Sequence, residues 1–156
     1  MTRALTLDIL RGELPPLQCV AVNVDEFGKG TVAWMAELTA QERDERIEKP
    51  WSEHCEETSD ESNSGFRAFA VAGCWCHGED RTFAAKGPAE IAEIAKVLLS
   101  RPSKPIARMY NVAASLNGLT QEELEGVKKN YRQSENGSGT SHCTPATGVP
   151  ESSSEG

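Results

Sequence analysis

The sequence predicts a mainly α-helical domain with a small N-terminal β-hairpin, an α+β fold, followed by a disordered C-terminal tail. Three observations predict it. Apolar residues recur at i, i+3, i+4 spacing through most of residues 66–131, the mark of helices with one buried stripe. Val20, Val22 and Val24 alternate, and Thr31 to Met35 is again β-branched and aromatic, which is the pattern of two short strands. Beyond Arg132 large apolar side chains almost vanish, leaving too little burial to offset roughly 1–2 kcal/mol of ordering entropy per residue. A length of 156 residues suits one core plus a loose end. The expected division is therefore a single domain over 1–132 and a Ser/Gly/Thr-rich tail over 133–156.

Each element follows from local chemistry. Leu5 to Leu10 can form one or two helical turns, after which Gly12 and Pro15-Pro16 impose an extended entry. Gln18 to Val24 and Thr31 to Met35 form the hairpin around a glycine-bearing loop, Asp25 to Gly30. Thr39 and Glu42 make a Ser/Thr-x-x-Glu capping box, so a helix begins at about Ala40. Its continuation is charged except for Ile47 and Trp51, and Pro50 is expected to kink or end it. Residues 53–64, acidic and without Lys or Arg, read as a mobile loop.

Structure is expected to resume at Phe66, where Phe66, Phe69, Ala70, Gly73 and Cys74 share one helical stripe, closed by a turn at His77 to Asp80. Pro88 opens the next helix, with Ile91, Ile94, Ala95, Leu98 and Leu99 on its apolar side, and Pro102 ends it. Pro105 starts another, carrying Ile106, Met109, Ala113 and Leu116, and Gly118 suits the left-handed residue that stops it. A last helix follows the capping box of Thr120 and Glu123, with Leu124, Val127 and Tyr131 inward.

Charge and composition then exclude function classes. A formal net charge of −8 argues against a phosphate-backbone grip, so no nucleic acid is expected as a partner. No run approaches 18 apolar residues and Met1 to Arg11 lacks a signal-peptide core, so no membrane partner is expected and the chain should stay in the cytoplasm. The five cysteines lack framework spacing and fit reduced, unpaired thiols.

Candidate sites are few. Cys74, Cys76 and His77, with His54 or Cys55 in reach, offer zinc-type ligands, but Cys-x-Cys at a helix end aims its sulfurs apart, and the expectation is no metal and no cofactor. The same cluster lacks a nucleophile elbow or an orienting carboxylate, so no catalytic residue and no enzyme activity are expected. Gly28-Lys29-Gly30 lacks phosphate-loop spacing and reads as a turn. Contact with a protein partner is assigned to Trp34, Leu38, Trp51, Ile91, Ile94, Leu98, Met109 and Tyr131, with Trp51 the leading contact because it stands beside Pro50 in polar surroundings. Lys128, Lys129 and Arg132 suit the C-terminal end of a helix dipole.

Residues 30–44, with Val32, Glu37-Leu38-Thr39 and Glu42-Arg43-Asp44, are similar to the Val-x-Val-Arg-Glu-Leu-Thr-x-x-Glu-Arg-Asp segment of the tail assembly chaperones of long-tailed bacteriophages. Phe66-Arg67-Ala68, the turn from Gly78 to Phe83, and Asn117-Gly118-Leu119-Thr120 with Glu122 and Leu124 resemble that family's later segments. The likeness spans about residues 5–130, and Ala36 stands where the family has Arg. The resemblance implies a non-enzymatic helper in the bacterial host cytoplasm. Such a helper binds the tape measure protein, keeps it soluble, helps recruit the tail tube protein, self-associates as a homo-oligomer and is absent from the finished virion. In that family a ribosomal frameshift often yields a longer second form. The rival readings are a structural minor tail or head-tail component and a small zinc-binding regulatory protein.

Overall fold

A three-stranded antiparallel sheet and a set of helices share one apolar core within residues 2–119, the part of the chain that the computed structural model describes. The fold is mainly α with a small N-terminal sheet, as the hydrophobic periodicity predicts. The expected last helix, with Leu124, Val127 and Tyr131, and the tail over 133–156 lie outside the described residues.

The first helix, α1 (Leu7–Arg11), is capped by the Thr6 hydroxyl, which accepts from the Ile9 amide, and it buries none of its residues. Strands β1 (Cys19–Asn23) and β2 (Val32–Ala36) pair with Val20 opposite Met35 and Val22 opposite Ala33, so the alternating valines face the core. The connecting loop is fixed by its own polar groups: Asn23 Oδ1 accepts from the Asp25 amide at 2.9 Å, and Asp25 Oδ1 from the Gly30 amide at 2.8 Å. Gly28 and Gly30 hold φ of 139° and 81°, which the return of the chain requires. The hairpin gains a third strand, β3 (Trp75–Cys76), paired to Trp34 and Met35. Cys76 is thus on a strand, not at a helix end.

The capping box forms: the Glu42 amide donates to the Thr39 hydroxyl at 3.1 Å, and the Thr39 amide to Glu42 Oε1 at 2.9 Å. From there the chain stays helical to Thr58, as α2 (Ala40–Arg43), a π-helical stretch (Asp44–Glu48) and α3 (Lys49–Thr58). Two sequence expectations fail here. Pro50 does not end the run, because the wider π turn precedes it: the Lys49 amide reaches back five residues to Asp44, and Pro50 falls in the first turn of α3, where an N–H is not needed. With the helix continuing, Cys55 extends the row begun by Ile47 and Trp51, and all three are buried. The proposed mobile acidic loop over 53–64 is accordingly wrong. It shrinks to Ser59–Ser62, between α3 and α4 (Asn63–Cys74).

That short connection is bonded throughout. Ser59 takes the left-handed conformation with its amide on the Cys55 carbonyl, Asp60 Oδ1 accepts from the Ser62 amide at 2.9 Å, and the Ser62 hydroxyl caps α4 at Gly65. Asp60 Oδ2 lies 3.1 Å from His54 Nε2. Burial pushes the Asp60 carboxyl up, but the Ser62 amide and hydroxyl and His54 outweigh it and hold the group below its ordinary range. A lowered folded-state pKa means stability present above the unfolded value and lost as pH falls through the folded one. Asp60→Ala should therefore destabilise by about 1–2 kcal/mol at pH 7, with the difference from wild type shrinking below about pH 4 in urea titrations by circular dichroism.

Helix α4 is buried around most of its circumference, from Gly65 through Cys74 with Arg67 as the exception, and forms the centre of the domain. It packs on α5 (Pro88–Leu99), α6 (Ser103–Asn117) and β2. Its abundance of Ala and Gly lets these neighbours approach closely. The α4–α5 connection is pinned by Arg81, which donates to the Glu37 carbonyl at 3.0 Å and to Glu42 Oε1 at 2.6 Å, so the carboxylate of the capping box also anchors a distant turn. Gly118 ends α6 at φ 66°, as expected.

Candidate partner-binding groove

Helix α5 carries more apolar surface than its packing can cover. Ile91 and Ala95 sit in the core, while Ile94 and Leu98 are half-buried and Val97 is 51% exposed. Opposite them the hairpin end presents Phe27 at 41% exposure and Val32 at 48%. Between these two walls runs an open apolar groove of about 580 Å³, with Val71 of α4, Trp75 and Met109 of α6 on its floor. Glu93 and Arg101 are the charged groups among its lining residues.

The groove's hairpin wall is held in place. Glu26, next to Phe27, pairs with Arg108 of α6, and its own backbone amide, then that guanidinium, hold its carboxyl below the usual range. The loop bonds of Asn23 and Asp25 restrict the segment that carries Phe27. A trough lined mainly by apolar side chains recognises shape and apolar area.

The structure divides the eight residues assigned to partner contact. Ile94, Leu98 and Met109 line the groove together. Trp34 is half-buried and, by strand alternation, points away from the Ala33 and Met35 face. Leu38 lines a separate, smaller pocket of about 390 Å³ with Arg43 and Leu116, where the chain leaves α6. Ile91 is in the core, and Tyr131 lies outside the described residues. Trp51 is overturned as a contact residue: it is fully buried, stacked on His54 at 5.7 Å and edge-on to Phe66 at 5.8 Å between ring centroids. Its polar neighbours in sequence lie on the other side of a helix that the sequence reading stopped too early.

Phe27, Val32 and Val97 were missed. Val97, three residues after Ile94, widens the apolar face of α5 beyond what the core can cover, a signal present in the sequence; Phe27 is an isolated aromatic in a turn, where burial cannot be read.

The cysteine cluster disperses. Cys74 Sγ is buried beside the Asn117 amide, and burial pushes its thiol up to about 12. Burial also raises the Cys76 thiol, with Cys19 acting in the same direction, and His77 is exposed on the turn. Among the described residues no three His, Cys, Asp or Glu side chains are grouped to hold a metal ion. No helix of these residues is long and apolar enough to cross a membrane. No protein-family model matches the chain, and neither a curated protein nor a solved structure matches it.

Proposed function

We propose that this chain is a tail assembly chaperone of a long-tailed bacteriophage, a non-enzymatic protein of the host cytoplasm that binds the tape measure protein, keeps it soluble and helps recruit the tail tube protein around it. The observation that carries this reading is the groove between α5 and the hairpin: a trough about 580 Å³ in volume, apolar on both walls, suits the nonpolar stripe of a client helix. The acidic character of the chain keeps such a complex dissolved and disfavours nucleic acid. The motif likeness supports the same reading, because its residues are structural keystones. Thr39 and Glu42 start the helical run, Glu42 also anchors Arg81, and Asn117 joins α6 to β2 by accepting from the Leu38 amide at 2.7 Å and donating to the Ala36 carbonyl at 3.1 Å.

Co-expression tests it. The tape measure protein should remain in the soluble fraction with the wild-type chain and aggregate without it. Val97→Asp, placed on an exposed groove wall, should lower the soluble client at least about tenfold while leaving the chaperone's own melting temperature within a few degrees. Mass spectrometry of purified virions should find the chain absent, and stoichiometric recovery there would replace this reading with that of a structural tail component.

A further inference from the structure

Asn117 and Gly118 meet at the end of α6 for unrelated reasons. Gly118 serves there because the chain turns at φ 66°, in the left-handed region. Asn117 serves there because its carboxamide bonds in both senses. Its Oδ1 accepts from the Leu38 amide at 2.7 Å, while Nδ2 donates to the Ala36 carbonyl at 3.1 Å and the Ala113 carbonyl at 3.0 Å. Together the two make an Asn-Gly dipeptide, in which no Cβ on the second residue shields the backbone nitrogen from the asparagine side chain.

That dipeptide has its own chemistry. The Gly118 amide gives its proton to a base, its nitrogen attacks Asn117 Cγ, and ammonia leaves as a five-membered imide closes. Water then opens the ring at either carbonyl, giving aspartate or, with the main chain rerouted through the side-chain carbon, isoaspartate. One water is consumed and one ammonia released. The fold obstructs the first stage at three points. The Gly118 N–H is committed to the Ala114 carbonyl, the leaving nitrogen Nδ2 is held by two carbonyls, and the half-buried Asn117 is fixed in the last turn of a helix.

We propose that Asn117 is a latent deamidation site, protected while α6 is docked on β2 and converted when that contact opens, so that a chain which has opened is covalently marked and hindered from closing again. The hindrance follows from the product. Aspartate at this position still accepts from the Leu38 amide, but it turns a second oxygen toward the Ala36 and Ala113 carbonyls, so two donated bonds become repulsive contacts. Isoaspartate also shifts Gly118 out of its turn. The site is independent of the chaperone reading, and its test uses no client.

Peptide mass spectrometry of the full chain, incubated at mildly alkaline pH with and without guanidinium chloride, tests it. Asn117 should convert at least about 100-fold more slowly in the native chain than in the unfolded one, because reaction waits on opening. Met109→Ala, which loosens α6 without touching the dipeptide, should speed native conversion by about tenfold or more and leave the rate in guanidinium unchanged. Gly118→Ala should slow conversion in guanidinium, as ring closure through that nitrogen requires. Asn117→Asp should lower the folding equilibrium constant about tenfold or more in urea titration. Equal rates in native and unfolded wild type would overturn the proposal, as would native conversion unaffected by Met109→Ala, unfolded conversion unaffected by Gly118→Ala, or wild-type stability of Asn117→Asp.

Discussion

Trp51→Ala is expected to destabilise the domain by about 3–5 kcal/mol, a large part of the roughly 5–15 kcal/mol that holds a domain of this size together. The indole is fully buried and central to an aromatic group: His54 is stacked on it, Phe66 meets it edge-on and Phe69 lies tilted at 5.6 Å. Gly65 leaves room for it, since a Cβ there would come within 2.9 Å of the ring. On the side of Gly65 the ring is bordered by the α4 backbone, so the space left behind can close there only if the helix itself shifts. The indole N–H is buried without an acceptor among the described residues, so Trp51→Phe removes an unsatisfied donor along with some packing and should cost less than half as much. Urea unfolding followed by circular dichroism checks both. A Trp51→Ala loss below about 1 kcal/mol would show that the residue is not the core element described.

What the sequence disclosed and what it hid follow one rule: local signals were legible where the partner is close in sequence. The capping box at Thr39, the valine alternation, Pro88 at a helix start and Gly118 at a helix stop each involve residues within a few positions, and each stands as read. The helix through Pro50 was misread because the π turn that accommodates it is set by packing against α4, which is distant in the chain. The Glu53 to Ser64 stretch looked unstructured because its order comes from Asp60, Ser62 and His54 bonding one another, a network composition cannot reveal. Strand β3, two residues long, has no periodicity to detect. Half of the groove was legible in the same way: Ile94, Leu98 and Met109 come from helical rows, whereas the hairpin wall with Phe27 and Val32 is brought opposite them only by tertiary structure.

Gly73→Ala is the second large effect, and it runs against helix propensity. In an exposed helix the change would stabilise by about 1 kcal/mol. Here the added Cβ would lie 2.4 Å from the Arg46 carbonyl oxygen and 3.1 Å from its carbon, both backbone atoms of the π-helical stretch. Neither can rotate away, so α4 and that stretch must separate. Pro50, four residues after Arg46, has no N–H to donate to that carbonyl. Separation also strains the bonds from Arg46 to the Gly73 carbonyl at 2.8 Å and the Ala85 carbonyl at 2.6 Å, and its guanidinium's seat 3.8 Å above the Phe83 ring. The net loss should be about 2–3 kcal/mol, whereas Gly87→Ser, at an open helix start, should stay within about 0.5 kcal/mol. Because Val71 on the same helix forms the groove floor, any folded Gly73→Ala protein should also bind a client helix more weakly. A neutral result in denaturant titration would mean that α4 and the π-helical stretch are not in contact as described.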